Sequence, residues 1–334
     1  MSAAGRIPVI LVTGFLGSGK TTLIAAILSQ PGFDRTLVVV NEFGEVGIDH
    51  DLLEASSEDV VLLANGCLCC TIRGNLVDTL IDAQAQAQAG RLRRFERVVI
   101  ETSGLADPAP VLGFVLGDAR WQADYVLTGV VTVCDGLAGL AALDRFPEAV
   151  SQASLADRLV ITKGDIAPRA AVDALRARLR TLNPGADILE VSRGAIEARR
   201  ILDLDRPAAE ENPPPPHRHD DDDAADRALR RHGMARRRYL VTPLDQAGLE
   251  RLTAALRDAN GPDLLRIKGL LRLQGDARIA LIQGAMTGLA PPELRAMTME
   301  GPGRLVLLGR EDALGRADRA LAPFLDSIQP PDGR

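Results

Sequence analysis

The segment that most restricts the fold is Gly14-Phe15-Leu16-Gly17-Ser18-Gly19-Lys20-Thr21, a glycine, four residues, then Gly-Lys-Thr. It lies between the apolar run Ile7 to Thr13 and the helix-length stretch Thr21 to Ser29. Strand, glycine-rich turn and helix in that order form a phosphate cradle. Gly14, Gly17, Ser18 and Gly19 are expected to turn backbone N–H groups inward around a β-phosphate, where the N-terminus of the following helix adds a favourable dipole field. Lys20 then reaches the β and γ oxygens, and the Thr21 hydroxyl is the candidate ligand of Mg²⁺.

The chain around this loop alternates strand and helix. Ile7 to Thr13, Thr36 to Val40, Val60 to Leu63, Val98 to Ile100, Tyr125 to Val133 and Leu159 to Ile161 are apolar without a two-residue alternation, as befits strands buried on both faces. Helix-length segments lie between them, among them Thr71 to Ala89, Pro108 to Leu116 and Ala170 to Leu182, with a last strand and helix near Asp187 to Val191 and Ala195 to Leu202. This predicts an α/β fold, a P-loop domain with a mostly parallel sheet, over residues 1–205. Residues 206–233 form a linker with Pro213 to Pro216, His217, His219, His232 and the acidic run Asp220 to Asp223. Residues 234–330 read as a smaller α+β domain, with strands near Arg237 to Val241, Leu264 to Leu273, Arg278 to Ile282 and Arg304 to Leu308, and helices at Asp245 to Ala259 and Ala313 to Leu325.

Two further segments bear on a nucleotide. The run Val98-Val99-Ile100 ends in Glu101-Thr102-Ser103-Gly104, which makes Glu101 the candidate acid for Mg²⁺ or its water shell and Gly104 the candidate N–H donor to a γ-phosphate. Thr162-Lys163-Gly164-Asp165 follows the strand Leu159 to Ile161, and the Asp165 carboxylate can accept two hydrogen bonds from guanine N1 and N2, a donor pair that adenine lacks. GTP is therefore the expected nucleotide. Lysine occurs only at 20, 163 and 268 in a chain whose other basic charges are all arginine. Two of the three fall in nucleotide segments, where a compact ammonium is needed and a planar guanidinium does not fit.

Net charge of -6 argues against a nucleic-acid partner, which needs a concentrated basic face. No apolar run reaches eighteen residues, so no membrane span is expected, and no small-residue cleavage site follows the N-terminal apolar run. The expected location is the cytoplasm. Of four cysteines, Cys67, Cys69 and Cys70 fall within four positions in Asn65-Gly66-Cys67-Leu68-Cys69-Cys70, too tight for a secreted disulfide framework. They follow a predicted strand and precede a helix, whose N-terminus lowers thiol pKa. Soft thiolates favour Zn²⁺ or Cu⁺ over Mg²⁺. Three sulfurs leave one tetrahedral position for a fourth ligand or water, so the site is expected to be exchangeable. Cys134, at the end of an apolar run, is read as a small buried hydrophobe.

Together, Gly14 to Thr22, Asn41-Glu42-Phe43-Gly44-Glu45-Val46-Gly47-Ile48-Asp49, Gly66 to Cys70, Glu101 to Pro108 and Thr162 to Asp165 resemble the CobW-type GTPases, a family of metallochaperones. Leu264-Leu265-Arg266-Ile267-Lys268-Gly269-Leu270 with Gln283-Gly284 resembles that family's C-terminal domain, so the resemblance covers nearly the whole chain. It implies GTP hydrolysis, nucleotide contacts extending through Thr22, Thr162 and Lys163, and zinc or cobalt at the cysteine motif. It also implies a switch segment at Asn41 to Asp49 and a client metalloprotein that receives the metal. Threonine in place of asparagine at 162 also occurs in the family. Glu42 is a candidate for the missing metal ligand, and Glu42 and Glu45 for positioning the attacking water. The few histidines of the linker, and the lack of any in Ala285-Met286-Thr287 after Gln283-Gly284, speak against a metal reservoir in the C-terminal half. A GTP-gated metal buffer or sensor without a dedicated client is the competing reading. The oligomeric state is not encoded in any of these features.

Overall fold

The computed structural model describes residues 5–41, 60–62, 72–191, 197–204, 229–297, 299, 301–324 and 328–329. They form two units. One comprises Ile7–Pro108 and Tyr125–Ala228, the other Met1–Arg6, Ala109–Asp124 and Leu229–Arg334.

The first unit is built on seven strands, β1 (Ile7–Thr13), β2 (Thr36–Asn41), β3 (Val60–Leu62), β4 (Arg97–Thr102), β5 (Tyr125–Asp135), β6 (Arg158–Thr162) and β7 (Asp187–Glu190). Their order is β3-β2-β4-β1-β5-β6-β7 and every pairing is parallel. The unalternating apolar runs follow from this: Val9 to Val12 and Leu159 to Ile161 are at most 1% exposed, because helices cover both faces of the sheet. Ile10, Val12, Val131, Val133 and Val160 pack with Leu23, Ile24 and Ile27 of helix Lys20–Leu28. Helix Arg169–Leu182 buries Val172, Leu175, Leu179 and Leu182, a stripe at helical spacing. Arg158 is 1% exposed and its guanidinium donates to the carbonyls of Arg200, Ile201 and Asp203, satisfying the end of helix Ala198–Leu202, while it pairs with Asp187 at 3.0 Å.

Parallel strands put their C-terminal ends at one edge of the sheet, and that edge carries the loops after β1, β4, β5 and β6. Two helices absent from the sequence expectation, Gly139–Arg145 and Pro147–Leu155, lie between β5 and β6.

The second unit holds an antiparallel sheet of β8 (Ala235–Val241), β9 (Arg266–Arg272), β10 (Ile279–Ala285), β11 (Gly288–Leu289), β12 (Glu293–Arg295), β13 (Gly303–Gly309) and β14 (Ile328–Gln329). The order is β11-β10-β9-β13-β8-β14, with β12 also on β10. Burial alternates along β9 and the first part of β13: Ile267, Leu271, Leu305 and Leu307 join Leu249, Leu252 and Leu256 of helix Gln246–Ala259 and Leu314 of helix Glu311–Leu321 in one core. Asp245 caps the first of these helices by accepting from Gly248 N at 2.6 Å. Helix Pro108–Gly117 belongs, from Ala109 on, to this unit. Its backbone meets the turn between β10 and β11 so closely that a Cβ on Gly288 would lie 1.9 Å from the Gly113 carbonyl oxygen.

Candidate nucleotide site

Gly14, Gly17 and Gly19 all have positive φ, and the loop they shape leads from Thr13 straight into the helix that begins at Lys20. Lys20 is buried and its Nζ donates to Gly14 O at 3.0 Å, so the ammonium lies along the inside of the loop. Thr22 is exposed in the first helical turn.

Register in the sheet brings the other candidates to the same place. Val12 pairs with Glu101, so the ends of β1 and β4 are level. Thr102 Oγ1 donates to Thr13 Oγ1 at 2.8 Å, a buried bond that ties the two strand ends together. Glu101 is 3% exposed and its Oε1 accepts from Thr21 Oγ1 at 2.7 Å. A carboxylate and a hydroxyl side by side are hard oxygen donors of the class Mg²⁺ prefers, and both stand beside the phosphate loop. Gly104 follows two residues after β4; a Cβ there would lie 2.7 Å from Leu16 N, so the loop after β4 rests directly on the phosphate loop.

The segment Thr162 to Asp165 is tied to the phosphate loop from the other side. Thr162 Oγ1 donates to Ser18 O at 2.7 Å and is 3.3 Å from Cys134 O. Lys163, with φ of 58°, donates from Nζ to Gly17 O at 2.7 Å and forms a 2.7 Å ion pair with Asp135 Oδ2. The threonine that replaces the usual asparagine thus still reaches the loop backbone. Asp165 is exposed at the same edge.

Asp135 escaped the sequence reading. Besides Lys163 it accepts from Leu137 N and Ala138 N at 2.7 and 3.2 Å through Oδ1, so one carboxylate shapes the turn after β5 and orients the lysine. The signal was present, since Asp135 ends an apolar run as Glu101 does. Gln152, in helix Pro147–Leu155, also escaped it; its Nε2 donates to Gly104 O and Ala106 O, and nothing in its sequence surroundings marks it. Cys134 is half-buried, and burial together with the neighbouring Asp135 pushes its thiol up to about 12. Glu42, Cys67, Cys69 and Cys70 lie outside the described residues. Among the described residues no group of three His, Cys, Asp or Glu is arranged to hold a metal ion, and no helix is long and apolar enough to cross a membrane.

Comparison with known proteins agrees with this geometry. Residues 8–190 match the family described as CobW/HypB/UreG, nucleotide-binding domain, and residues 240–323 match the cobalamin synthesis protein CobW C-terminal domain. The chain is 32% identical over 278 residues to the zinc chaperone YjiA of Escherichia coli, covering 83% of this chain and 86% of that protein. It is 35% identical over 213 residues to the zinc-regulated GTPase metalloprotein activator 1 of Schizosaccharomyces pombe, covering 61% of this chain and 50% of that protein. Among solved structures, a Zn(II)-bound triple mutant of the YjiA GTPase superposes with a TM-score of 0.65 at 27% identity, covering 96% of this chain and 99% of that one.

Proposed function

The chain belongs to the CobW/HypB/UreG family, and we propose from that premise that it is a GTP-hydrolysing metallochaperone that binds zinc at Cys67, Cys69 and Cys70 and transfers it to a client metalloprotein. The observation that carries the reading is the shared sheet edge. The phosphate loop, the Thr21–Glu101 pair and the Thr162–Lys163 tether meet there, and β2 and β3, the strands that precede Glu42 and the cysteine motif, run parallel in the same sheet.

In this reading Lys20 and the N–H groups of Gly14, Gly17, Ser18 and Gly19 hold the β and γ phosphates, and Gly104 offers its N–H to the γ-phosphate. Thr21 and Glu101 hold Mg²⁺, which when bound neutralises charge on the phosphate oxygens. Asp165 accepts from guanine N1 and N2, while Thr162 and Lys163 keep that loop in register with the phosphate loop. The family relatives named zinc chaperones favour zinc over cobalt as cargo.

Glu42 is the residue directly after β2, and β2 pairs with β4 so that Val40 faces Glu101. A segment that starts there and closes over a γ-phosphate carries Glu42 toward the thiols, so zinc is held more tightly in the GTP state than in the GDP state. Linkage requires zinc to raise GTP affinity by the same factor, for ordinary coupling roughly 5- to 150-fold. The test is a pair of chelator competition titrations, one with GDP and one with a non-hydrolysable GTP analogue, each with Mg²⁺. A tighter zinc affinity with the analogue, abolished by replacing the three cysteines with serine, supports the reading. Equal affinities overturn the coupling of nucleotide to metal.

A further inference from the structure

Gln152 is a fully buried polar side chain near the phosphate loop, with 0% of its surface exposed. Its Nε2 donates to two carbonyls of one loop, Gly104 O at 3.1 Å and Ala106 O at 3.0 Å. The preceding residue, Ser151, donates to the Asp107 carboxylate of the same loop at 2.9 Å. Two consecutive residues of helix Pro147–Leu155 therefore hold three residues of the segment that follows Glu101. The helix is itself anchored to the sheet here, because Thr132 Oγ1 of β5 donates to the Gln152 carbonyl at 2.7 Å.

The amide is oriented by these bonds. Among the described residues its Oε1 is buried without a hydrogen-bond partner, and so is Ser18 Oγ of the phosphate loop. Both residues line a small cavity of about 30 Å³ beneath the loop, walled by Leu16, Ala142, Leu143 and Leu175. A side chain present only to fill space needs no amide, whereas this one spends both of its Nε2 bonds on the loop after Glu101. What the glutamine provides is a fixed direction for the peptide planes that follow Gly104 and Ala106. Pulling the Gly104 carbonyl down toward helix Pro147–Leu155 sets the rotation of a loop whose next contact is the backbone of Leu16.

We propose that Gln152, assisted by Ser151, is a positioning residue for GTP hydrolysis. It orients the Gly104 loop so that the loop's N–H meets the γ-phosphate, an inference that rests on the GTPase reading above. Gln152 touches neither nucleotide nor metal in this account. It acts through Gly104. A donor aimed at developing charge loses much of its effect when displaced by about 1 Å, which can cost on the order of 10²-fold in rate.

The test compares Gln152→Leu, Gln152→Glu and Ser151→Ala with the unaltered full-length protein. Gln152→Leu is expected to lower kcat about 10- to 100-fold and to weaken a non-hydrolysable GTP analogue several-fold, with GDP affinity unchanged. Gln152→Glu keeps a donor only while its carboxyl is protonated, so its kcat is expected to recover as the pH is lowered, relative to the unaltered protein, where Gln152→Leu shows no such recovery. Ser151→Ala, the milder change, is expected to lower kcat about 2- to 5-fold and serves if the Gln152 variants do not fold. Equal loss of GDP and GTP-analogue affinity, or unchanged kcat in both Gln152→Leu and Ser151→Ala, overturns the proposal. An unaltered protein that does not hydrolyse GTP overturns the GTPase reading instead, so the two failures are distinguishable.

Discussion

Lys163 Nζ lies 2.7 Å from Asp135 Oδ2, and the same ammonium donates to the carbonyl of Gly17, so a carboxylate from the end of β5 steers a lysine from the end of β6 onto the phosphate loop. The lysine bridges two turns that are far apart in sequence.

Asp135→Asn is expected to weaken GTP and GDP together by about 3- to 10-fold, the range for loss of a partly exposed ion pair that also orients a ligand contact. The amide retains an oxygen for Leu137 N and Ala138 N, so the turn itself persists. Calorimetric titration with both nucleotides measures the effect. Unchanged affinities would mean that Gly17 alone holds the lysine in place.

Glu101→Gln keeps the shape of the side chain and an acceptor for Thr21 but removes the charge. Turnover of GTP is expected to fall by about 10²-fold and to require more Mg²⁺, the scale seen when one electrostatic contribution at a reacting phosphate or oxyanion is lost. GDP binding measured in a chelator is expected to stay as it is. A magnesium titration of turnover, run beside Thr21→Ser, which keeps the hydroxyl, checks both statements; an unchanged magnesium requirement in Glu101→Gln counts against a metal-side role.

The Cys134 thiol, raised to about 12 by burial and by Asp135, is expected to stay protonated across the physiological range. In a protein with Cys67, Cys69 and Cys70 replaced by serine, alkylation of Cys134 at pH 8 is expected to be ~10³-fold slower than for an ordinary thiol, from the thiolate fraction alone. The folded pKa is raised, so the contribution to stability is complete below the ordinary thiol range and is lost as pH rises through about 12. Alkylation at the rate of a free thiol would show that the side chain is not held in its buried environment.

What the sequence discloses follows the strength of its local signals. β1, the phosphate loop and the helix after it are legible because the glycine spacing and the adjoining apolar run specify one arrangement. The parallel sheet is legible in the unalternating strands, which need cover on both faces. Helices Gly139–Arg145 and Pro147–Leu155 are not, since they are short and the second is buried on most sides, leaving no amphipathic stripe to count. Gln152 stays hidden for a different reason: its partners Gly104 and Ala106 lie 48 and 46 residues away in sequence. Asp135 was within reach, as a strand-end carboxylate, but its partner Lys163 becomes visible only once β5 and β6 are neighbours.

The close contact of Gly113 with Gly288 bears on how such a chain can be rearranged by recombination. Residues Ala109–Asp124 sit, in sequence, inside the nucleotide-binding part, yet they are packed as part of the unit that contains the C-terminal sheet. The two units are interleaved along the gene, not concatenated. A single crossover near residue 205 would bring together a helix from one parent and a hairpin from the other, and any side chain at position 288 would drive into the helix backbone. Exchange of C-terminal halves among relatives therefore requires that both glycine positions travel together or match beforehand, which makes this contact a barrier to modular shuffling.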